Sequence, residues 1–232
     1  MACALVRALG AAALLLIGAA AHADDRLWIL TGEVYQSDYY FGAGLLIPFW
    51  GDNHLGQGWV QRYWLDTFSY TYDANGRDID ATVFGAEAMI GYQASRPGLS
   101  GAAYFGVRYS NSHLSPDDPA GALRGQQFWP KVQLEGEATL SSSWRANGIV
   151  SYIMVLDGYW ARARLLYGLS GTKFIGPEVV VQGDPNYNAQ KIGVAFGGFQ
   201  IGQKTSLTFK GGYRFQSGAD GPYVGAELVG EF

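Results

Sequence analysis

The chain has 232 residues, of which 16% are charged and 15% aromatic, with 33 glycines and a formal net charge of −4 at pH 7. This charged fraction is well below the roughly 25% of an average soluble domain, and the length suits a single domain. The mild negative charge, without a cluster of basic residues, argues against nucleic acid as a partner.

The first residues have the pattern of an export signal. Arg7 provides a positive start, residues 8–20 form an apolar run too short to span a bilayer comfortably, and Ala21-His22-Ala23 has the A-x-A form of a cleavage site. We therefore expect a cleaved signal peptide at 1–23, with an N-terminal membrane anchor as the alternative. The single cysteine, Cys3, lies inside this segment, so residues 24–232 can form neither a disulfide nor a cysteine metal site.

The stretch from Tyr159 to Gln182 shows a pattern that recurs along the chain. Trp160, Arg162 and Arg164 alternate with apolar or aromatic residues, and Glu178 follows a glycine-containing turn in a second alternating run. A period of two with charge on one face is typical of a β-strand. A soluble sandwich would show the same hairpin, so the number of such runs must decide between the folds.

Counting the alternating runs gives twelve strands. No apolar run after the signal is long enough for a membrane helix. We predict an all-β fold, a transmembrane antiparallel up-and-down β-barrel at 24–232 in the outer membrane, with ten or eight strands possible and a soluble β-sandwich as the alternative. The predicted strands are Leu27–Tyr35, Tyr39–Phe49, Trp59–Tyr72, Ile79–Gln93, Gly101–Tyr109, Phe128–Leu140, Trp144–Val155, Tyr159–Tyr167, Phe174–Gln182, Lys191–Ile201, Ser206–Gln216 and a last strand that ends on Phe232.

Loop lengths suggest an orientation, because barrels of this class have short periplasmic turns and longer external loops. With a periplasmic C-terminus, turns 95–98, 141–143, 168–172 and 202–205 lie in the periplasm. Loops 73–78, 110–127, 183–188 and 217–221 lie outside, and 110–127 is the longest of them.

Pro177 does not fit the interior of a strand in a closed barrel. A closed barrel leaves no free edge on which a proline could lie without losing a ladder hydrogen bond. We therefore expect a bulge or a delayed strand start at Gly176-Pro177.

The last strand resembles the closing strand of bacterial outer-membrane barrels. It is amphipathic and ends on Phe232, with Leu228 on the same face, and we expect these two residues to form the assembly signal. Gly230 stands where such strands usually carry an aromatic residue.

Charges must line the lumen if the apolar faces meet lipid, because a cation on the lipid face at the bilayer midplane costs about 2–4 kcal/mol. Lys210 and Arg214 are then expected beside Glu227 and Glu231, with Glu33 next around the closure. The main predicted patch is either a set of ion pairs that knits the lumen or a conduit or binding patch for a neutral or acidic glycan. It consists of Trp160, Arg162, Arg164, Glu178, Glu135 and Glu137.

Catalysis finds little support in the sequence. The two histidines after the signal, His54 and His113, fall in predicted loops at opposite ends of the barrel. Ser112 and His113 are adjacent, and neighbouring strand residues point apart. We therefore predict no catalytic, cofactor or metal site, and a lipid- or lipopolysaccharide-modifying barrel enzyme is the alternative.

Several short motifs in order resemble the cellulose biosynthesis protein BcsS family of proteobacteria. They are Gly51-Asp, Gly56-Gln-Gly-Trp59, Tyr70-Thr-Tyr72, Gly91-Tyr92-Gln93, Tyr159-Trp-Ala-Arg-Ala-Arg164, Gly176-Pro177-Glu178 and Gly221-Pro-Tyr223. The resemblance implies an outer-membrane accessory of cellulose or related exopolysaccharide export that is not a synthase. It implies contacts with outer-membrane lipid, with a cellulose or glucan chain and with other cellulose-secretion components. A passive structural barrel is a further alternative.

Overall fold

The computed structural model describes residues 26–36, 38–49, 53–74, 76–119, 121, 124–185, 187–216 and 220–232. The predicted signal peptide at 1–23 lies outside these residues. The part of the chain that the structure describes contains no helix with the length and hydrophobicity needed to cross a membrane.

The chain forms one closed antiparallel barrel of twelve strands, as predicted, and the soluble sandwich was the wrong alternative. Each strand pairs with its neighbours in sequence, and β1 pairs with β12 to close the ring. The strands are β1 (Leu27–Tyr35), β2 (Asp38–Pro48), β3 (Gly58–Asp73), β4 (Asp78–Arg96), β5 (Leu99–Ser115), β6 (Gly125–Thr139), β7 (Trp144–Ile153), β8 (Gly158–Gly168), β9 (Phe174–Asp184), β10 (Tyr187–Ile201), β11 (Thr205–Gln216) and β12 (Gly221–Glu231).

The alternation along each strand places its apolar face outward, so the outer surface of the barrel is apolar. Leu134 and Phe105, in the middle of the wall, are 61% and 60% exposed. Aromatic side chains form a girdle near each end, as in barrels that cross a lipid bilayer. One girdle contains Phe41, Phe128, Tyr152, Tyr159, Tyr213 and Phe215, and the other contains Trp59, Tyr92, Trp144, Tyr167, Phe196 and Phe209.

The two ends of the barrel are named here by the chain termini. Arg26 and Phe232 meet at the terminal end, where the Phe232 amide donates to the Arg26 carbonyl at 3.1 Å. The distal end carries the turns after the odd-numbered strands, including loop 116–124 after β5. That loop is shorter than the predicted 110–127 because β5 and β6 continue pairing as far as Ser112 and Gly125. Loop 49–57 at the terminal end is as long, so loop length does not orient the barrel.

An aromatic side chain of β1 lies beside the glycine of the closing strand. Trp28 pairs with Gly230 across the seam, and a Cβ on Gly230 would lie 2.4 Å from Trp28 Cε2. The indole of Trp28 therefore covers the position at which the sequence lacks an aromatic side chain. Phe232 is 53% exposed at the end of the same strand.

The expectation of a bulge or delayed start at Pro177 is wrong. β9 begins at Phe174, before the proline, and keeps one register with β8 from Tyr159↔Gly183 to Gly168↔Phe174. Only the pairs that Leu165 and Leu166 would form with Pro177 and Gly176 are absent from this ladder. A proline lacks the N–H donor, so the strand loses local pairing while its register is unchanged. The register shift in this wall occurs in β10 instead, between Phe196 and Phe199.

Candidate functional site

The inward faces of the strands fill the lumen with charged side chains, and the first group is centred on Glu87 of β4. Its carboxylate accepts hydrogen bonds from Arg62 at 3.0 Å, Arg108 at 2.6 Å and Lys131 at 2.5 Å. Arg108 also donates through both terminal nitrogens to Asp66, at 2.8 Å each. We call these five residues the Glu87 cluster. The Glu87 side chain is 1% exposed, so its charge depends on these partners for compensation.

The second group is centred on Glu227 of β12. Arg162 and Arg164 of β8 donate to it at 2.8 Å and 2.7 Å, and Lys210 of β11 lies at 3.1 Å. Because β8 and β12 are four strands apart, these bonds cross the lumen rather than follow the sheet. The remaining members are Glu178, which accepts from Arg164 at 2.5 Å, and Glu33, which accepts from Lys191 at 2.5 Å and from Lys210. We call this set the Glu227 cluster.

Apolar and aromatic side chains close the lumen toward the distal end. Tyr70 of β3 lies with its ring centroid 5.0 Å from that of Tyr187 of β10, on nearly opposite walls of the barrel. Leu156, from the turn between β7 and β8, is buried in the same cluster. We call it the distal seal, and its buried members are Tyr70, Tyr72, Ile79, Ala81, Val83, Leu114 and Leu156.

A loop covers the distal seal. The Tyr72 hydroxyl donates to Asp118 at 2.8 Å, and Arg124 holds Asp117 through two hydrogen bonds of 2.8 Å. The Arg124 guanidinium lowers the pKa of Asp117 below its ordinary value. The bond from Tyr72 ties Asp118 to the barrel, and the Asp117–Arg124 pair links the two ends of the described part of the loop.

The exposed fraction of the inward-facing side chains increases toward the terminal end of the lumen. On β1 the inward residues Glu33 and Tyr35 are buried, whereas Leu27 and Thr31 are half-buried. A depression at the terminal mouth is lined by inward residues of β1, β10, β11 and β12, including Leu27, Gln200, Ser206, Val229 and Glu231. We call the half-exposed inward surface the terminal vestibule, which comprises Leu27, Thr31, Glu135, Glu137, Arg145, Asn147, Ile149, Arg162, Ser206, Glu227 and Val229.

The structure divides the predicted patch between two walls. Arg162, Arg164 and Glu178 lie together in the Glu227 cluster, with the Arg162 guanidinium 5.9 Å from the Trp160 ring centroid. Glu135 and Glu137 lie on β6, away from that cluster. Glu135 accepts from Gln133 at 2.5 Å, and Glu137 lies 3.8 Å from Arg145 at the exposed rim.

The predicted partners of Arg214 need correction. Glu231 is exposed at the end of β12 rather than paired with Lys210 or Arg214. Arg214 donates instead to Asp38 at 3.2 Å and lies 4.3 Å from the Tyr35 ring centroid. The pairing of Lys210 with Glu227 and Glu33 agrees with the prediction.

Sequence reasoning missed the Glu87 cluster, although a signal was present. Arg62, Asp66, Glu87 and Arg108 all stand at positions that the strand alternation places inward. Glu87 and Arg108 each stand alone among apolar or aromatic neighbours on their strands, where a lone charge marks a lumen position.

The two histidines lie at opposite ends of the barrel, as the topology predicted. His54 lies in the connection between β2 and β3, where its backbone amide and carbonyl form two hydrogen bonds with the backbone of Gln57. His113 belongs to β5 rather than to a loop, because β5 extends to Ser115. Ser112 is buried on the inward face and His113 is exposed on the outward face, so their side chains point apart.

Solved outer-membrane proteins share this fold at low sequence identity. An outer membrane channel from Pseudomonas putida F1 is 10% identical, with 92% of this chain and 97% of that chain covered and a TM-score of 0.58. A mutant of the monoaromatic hydrocarbon channel TodX is 8% identical, with 91% of each chain covered and a TM-score of 0.55. The transport unit of the autotransporter AIDA-I from Escherichia coli is 8% identical, with 94% and 93% covered and a TM-score of 0.51.

The closed ring, the aromatic girdles and the charged interior define a transmembrane β-barrel of the outer-membrane type. No curated protein matches the chain. The family model for cellulose biosynthesis protein BcsS matches residues 33–232, and the chain belongs to that family.

Proposed function

We propose that the chain is a non-enzymatic accessory of bacterial cellulose biosynthesis, that it resides in the outer membrane after export by its signal peptide, and that its terminal end faces the periplasm. Family membership supports the pathway, and the apolar wall between two aromatic girdles supports a bilayer location.

The observation that carries the non-enzymatic part is the state of the lumen carboxylates. Glu33, Glu87 and Glu227 each accept from two or more cationic side chains. A general acid or base needs a pKa near the working pH and a free path to a substrate proton. Carboxylates that are buried among fixed cations serve structure instead, since the cations favour their ionised form.

The distal seal further limits how the barrel contributes. Tyr70 and Tyr187 meet across the lumen, so this conformation offers a vestibule at one end rather than a continuous channel. The proposed role is therefore contact with glucan or with other cellulose-secretion components at the terminal end, not passage of a polymer through a fixed pore.

The test is a chromosomal deletion, complemented with the wild-type chain, with surface cellulose measured by dye binding and barrel level measured in outer-membrane fractions. We expect the deletion to change the amount, location or texture of surface cellulose, and complementation to restore it. Normal cellulose in the deletion strain would refute the role in the pathway. A second strain with His113→Ala tests the enzymatic alternative, since loss of a hydrolytic lipid product there would refute the non-enzymatic assignment.

A further inference from the structure

Three buried polar atoms around the Glu227 cluster have no hydrogen-bond partner in the part of the chain that the structure describes. They are Thr31 Oγ1, Asn147 Oδ1 and Arg162 Nε. Buried polar groups in folded proteins are almost always hydrogen-bonded, because an unmade bond leaves the desolvation cost unopposed. Three such atoms in one region are therefore able to bond to an occupant from outside the chain.

The strand register shows that these residues surround one carboxylate. Thr31 is paired with Glu227 across the β1–β12 seam. The Arg162 Nη1 donates to Glu227 at 2.8 Å, while its Nε remains without a partner. Asn147 is paired with Arg164, which also donates to Glu227. The three free atoms thus belong to the inner part of the terminal vestibule.

Access to this region is possible from the terminal end. Asn147 and Ile149 on β7 are half-buried, while Ser151, farther toward the distal end of the same strand, is buried. On β12, Glu227 and Val229 are likewise half-buried, whereas Tyr223, nearer the distal end, is buried. The distal seal lies beyond the buried residues, so a ligand enters from the mouth at which the depression lies.

The chemistry of the free atoms selects the class of ligand. Asn147 Oδ1 needs a donor, Arg162 Nε needs an acceptor, and the Thr31 hydroxyl can serve as either. A hydroxyl group supplies both functions. Glu135 and Glu137 at the entrance disfavour an anion, whereas Arg145 and Arg162 disfavour a cation. Ile149 and Val229 offer apolar surface to the C–H face of a sugar ring.

We propose that the terminal vestibule binds a short neutral saccharide segment, of the β-linked glucan type, that enters from the periplasm. This inference rests on the proposed function for the choice of glucan. It assigns the hydrogen bonds to Thr31, Asn147 and Arg162, and it assigns Arg164 and Glu178 to structure because their charges are already paired.

The experiment measures binding of cellotetraose to the full mature barrel, purified in detergent, by isothermal titration calorimetry. The test variant combines Thr31→Val with Asn147→Leu, which keep side-chain size while removing the free polar atoms. The matched control combines Ser110→Ala with Ser112→Ala, which also removes unpartnered buried hydroxyls, but in the distal part of the lumen. Heat modifiability in gels verifies that each variant assembles.

We expect the vestibule variant to bind cellotetraose at least about tenfold more weakly, since two hydrogen bonds to the ligand are lost. The control should bind as the wild type does. Failure of the wild type to bind cellotetraose, or an equal loss in the control, would overturn the site. Equal binding of maltotetraose, which is α-linked, would overturn the assignment to a β-linked glucan.

The outcomes separate this inference from the proposed function. If the deletion strain makes normal cellulose while the purified barrel binds cellotetraose, the pathway role fails and the site stands. If the deletion alters cellulose while the purified barrel binds no saccharide, the pathway role stands and the site is refuted.

Discussion

Removing the Glu87 carboxylate tests whether the lumen charges hold the barrel together. In Glu87→Gln the side chain keeps its size and one acceptor oxygen but loses its charge. Arg108 keeps its two bonds to Asp66. Arg62 and Lys131, which lie 3.0 and 2.5 Å from Glu87, lose the carboxylate that compensates them.

The expected loss follows from burial. The Glu87 side chain is 1% exposed and that of Lys131 is 10% exposed, so water cannot fully replace the missing charge. Removing one partner of a buried pair costs about 3–5 kcal/mol because the other charge stays buried without compensation. At the rim, Glu137 is 44% exposed and lies 3.8 Å from Arg145. Glu137→Gln should therefore cost only about 0–1 kcal/mol.

The assay is urea unfolding of the barrel in lipid vesicles, followed by tryptophan fluorescence, with the free energy of unfolding compared among variants. Adding Lys131→Met to Glu87→Gln should recover part of the loss, because one uncompensated cation is removed. If Glu87→Gln and Glu137→Gln lose similar amounts, or if Lys131→Met adds to the damage, the ion pairs do not stabilise the barrel as described.

Three further changes test other parts of the wall. Leu134→Arg on the lipid face should lower the free energy of unfolding in vesicles by about 2–4 kcal/mol, whereas Glu137→Arg at the rim should assemble normally in outer-membrane fractions. Gly44→Ala should displace Trp64, since the new Cβ would lie 2.3 Å from Trp64 Cε3; an unchanged fluorescence spectrum would contradict this packing. Val155 has φ of 71° and is 79% exposed, so Val155→Gly relieves left-handed strain with little loss of packing. The free energy of unfolding should rise by about 0.5–1 kcal/mol, because the greater freedom of glycine in the unfolded chain offsets part of the roughly 1–2 kcal/mol of strain. A lower value would show that the turn needs the valine side chain.

Strand number and the two faces of the wall could be predicted from the sequence, because both depend on local alternation. In β6, Lys131 and Gln133 face inward and Leu134 faces lipid, as the period of two requires. The length of β5 was underestimated because Ser110, Asn111 and Ser112 resemble a loop in composition. Only their pairing with β4 and β6 places them in a strand.

Partners across the lumen could not be predicted from alternation. The pairing of Arg162 with Glu227 joins strands four positions apart, and it depends on how the closed ring is staggered. The sequence left open a polar conduit through the lumen, yet the inward-facing Gln133 is 4% exposed. Other side chains of the barrel fill the space there, and such packing is a property of the whole cross-section rather than of any strand.

The distribution of charge in the Glu227 cluster has a consequence for the order of assembly. The strands β8, β10 and β11 bring the cations, while the acids Glu227 and Glu33 stand on β12 and β1, the two strands whose pairing closes the ring. Of the cluster's acids, only Glu178 lies on β9, among the cationic strands. With the chain ends apart, the wall from β8 to β12 therefore carries the four cations of the cluster against only Glu178 and Glu227, and this excess of positive charge repels itself. Joining the first strand to the last brings Glu33 to Lys191 and Lys210, so electrostatic attraction acts on the closing step itself.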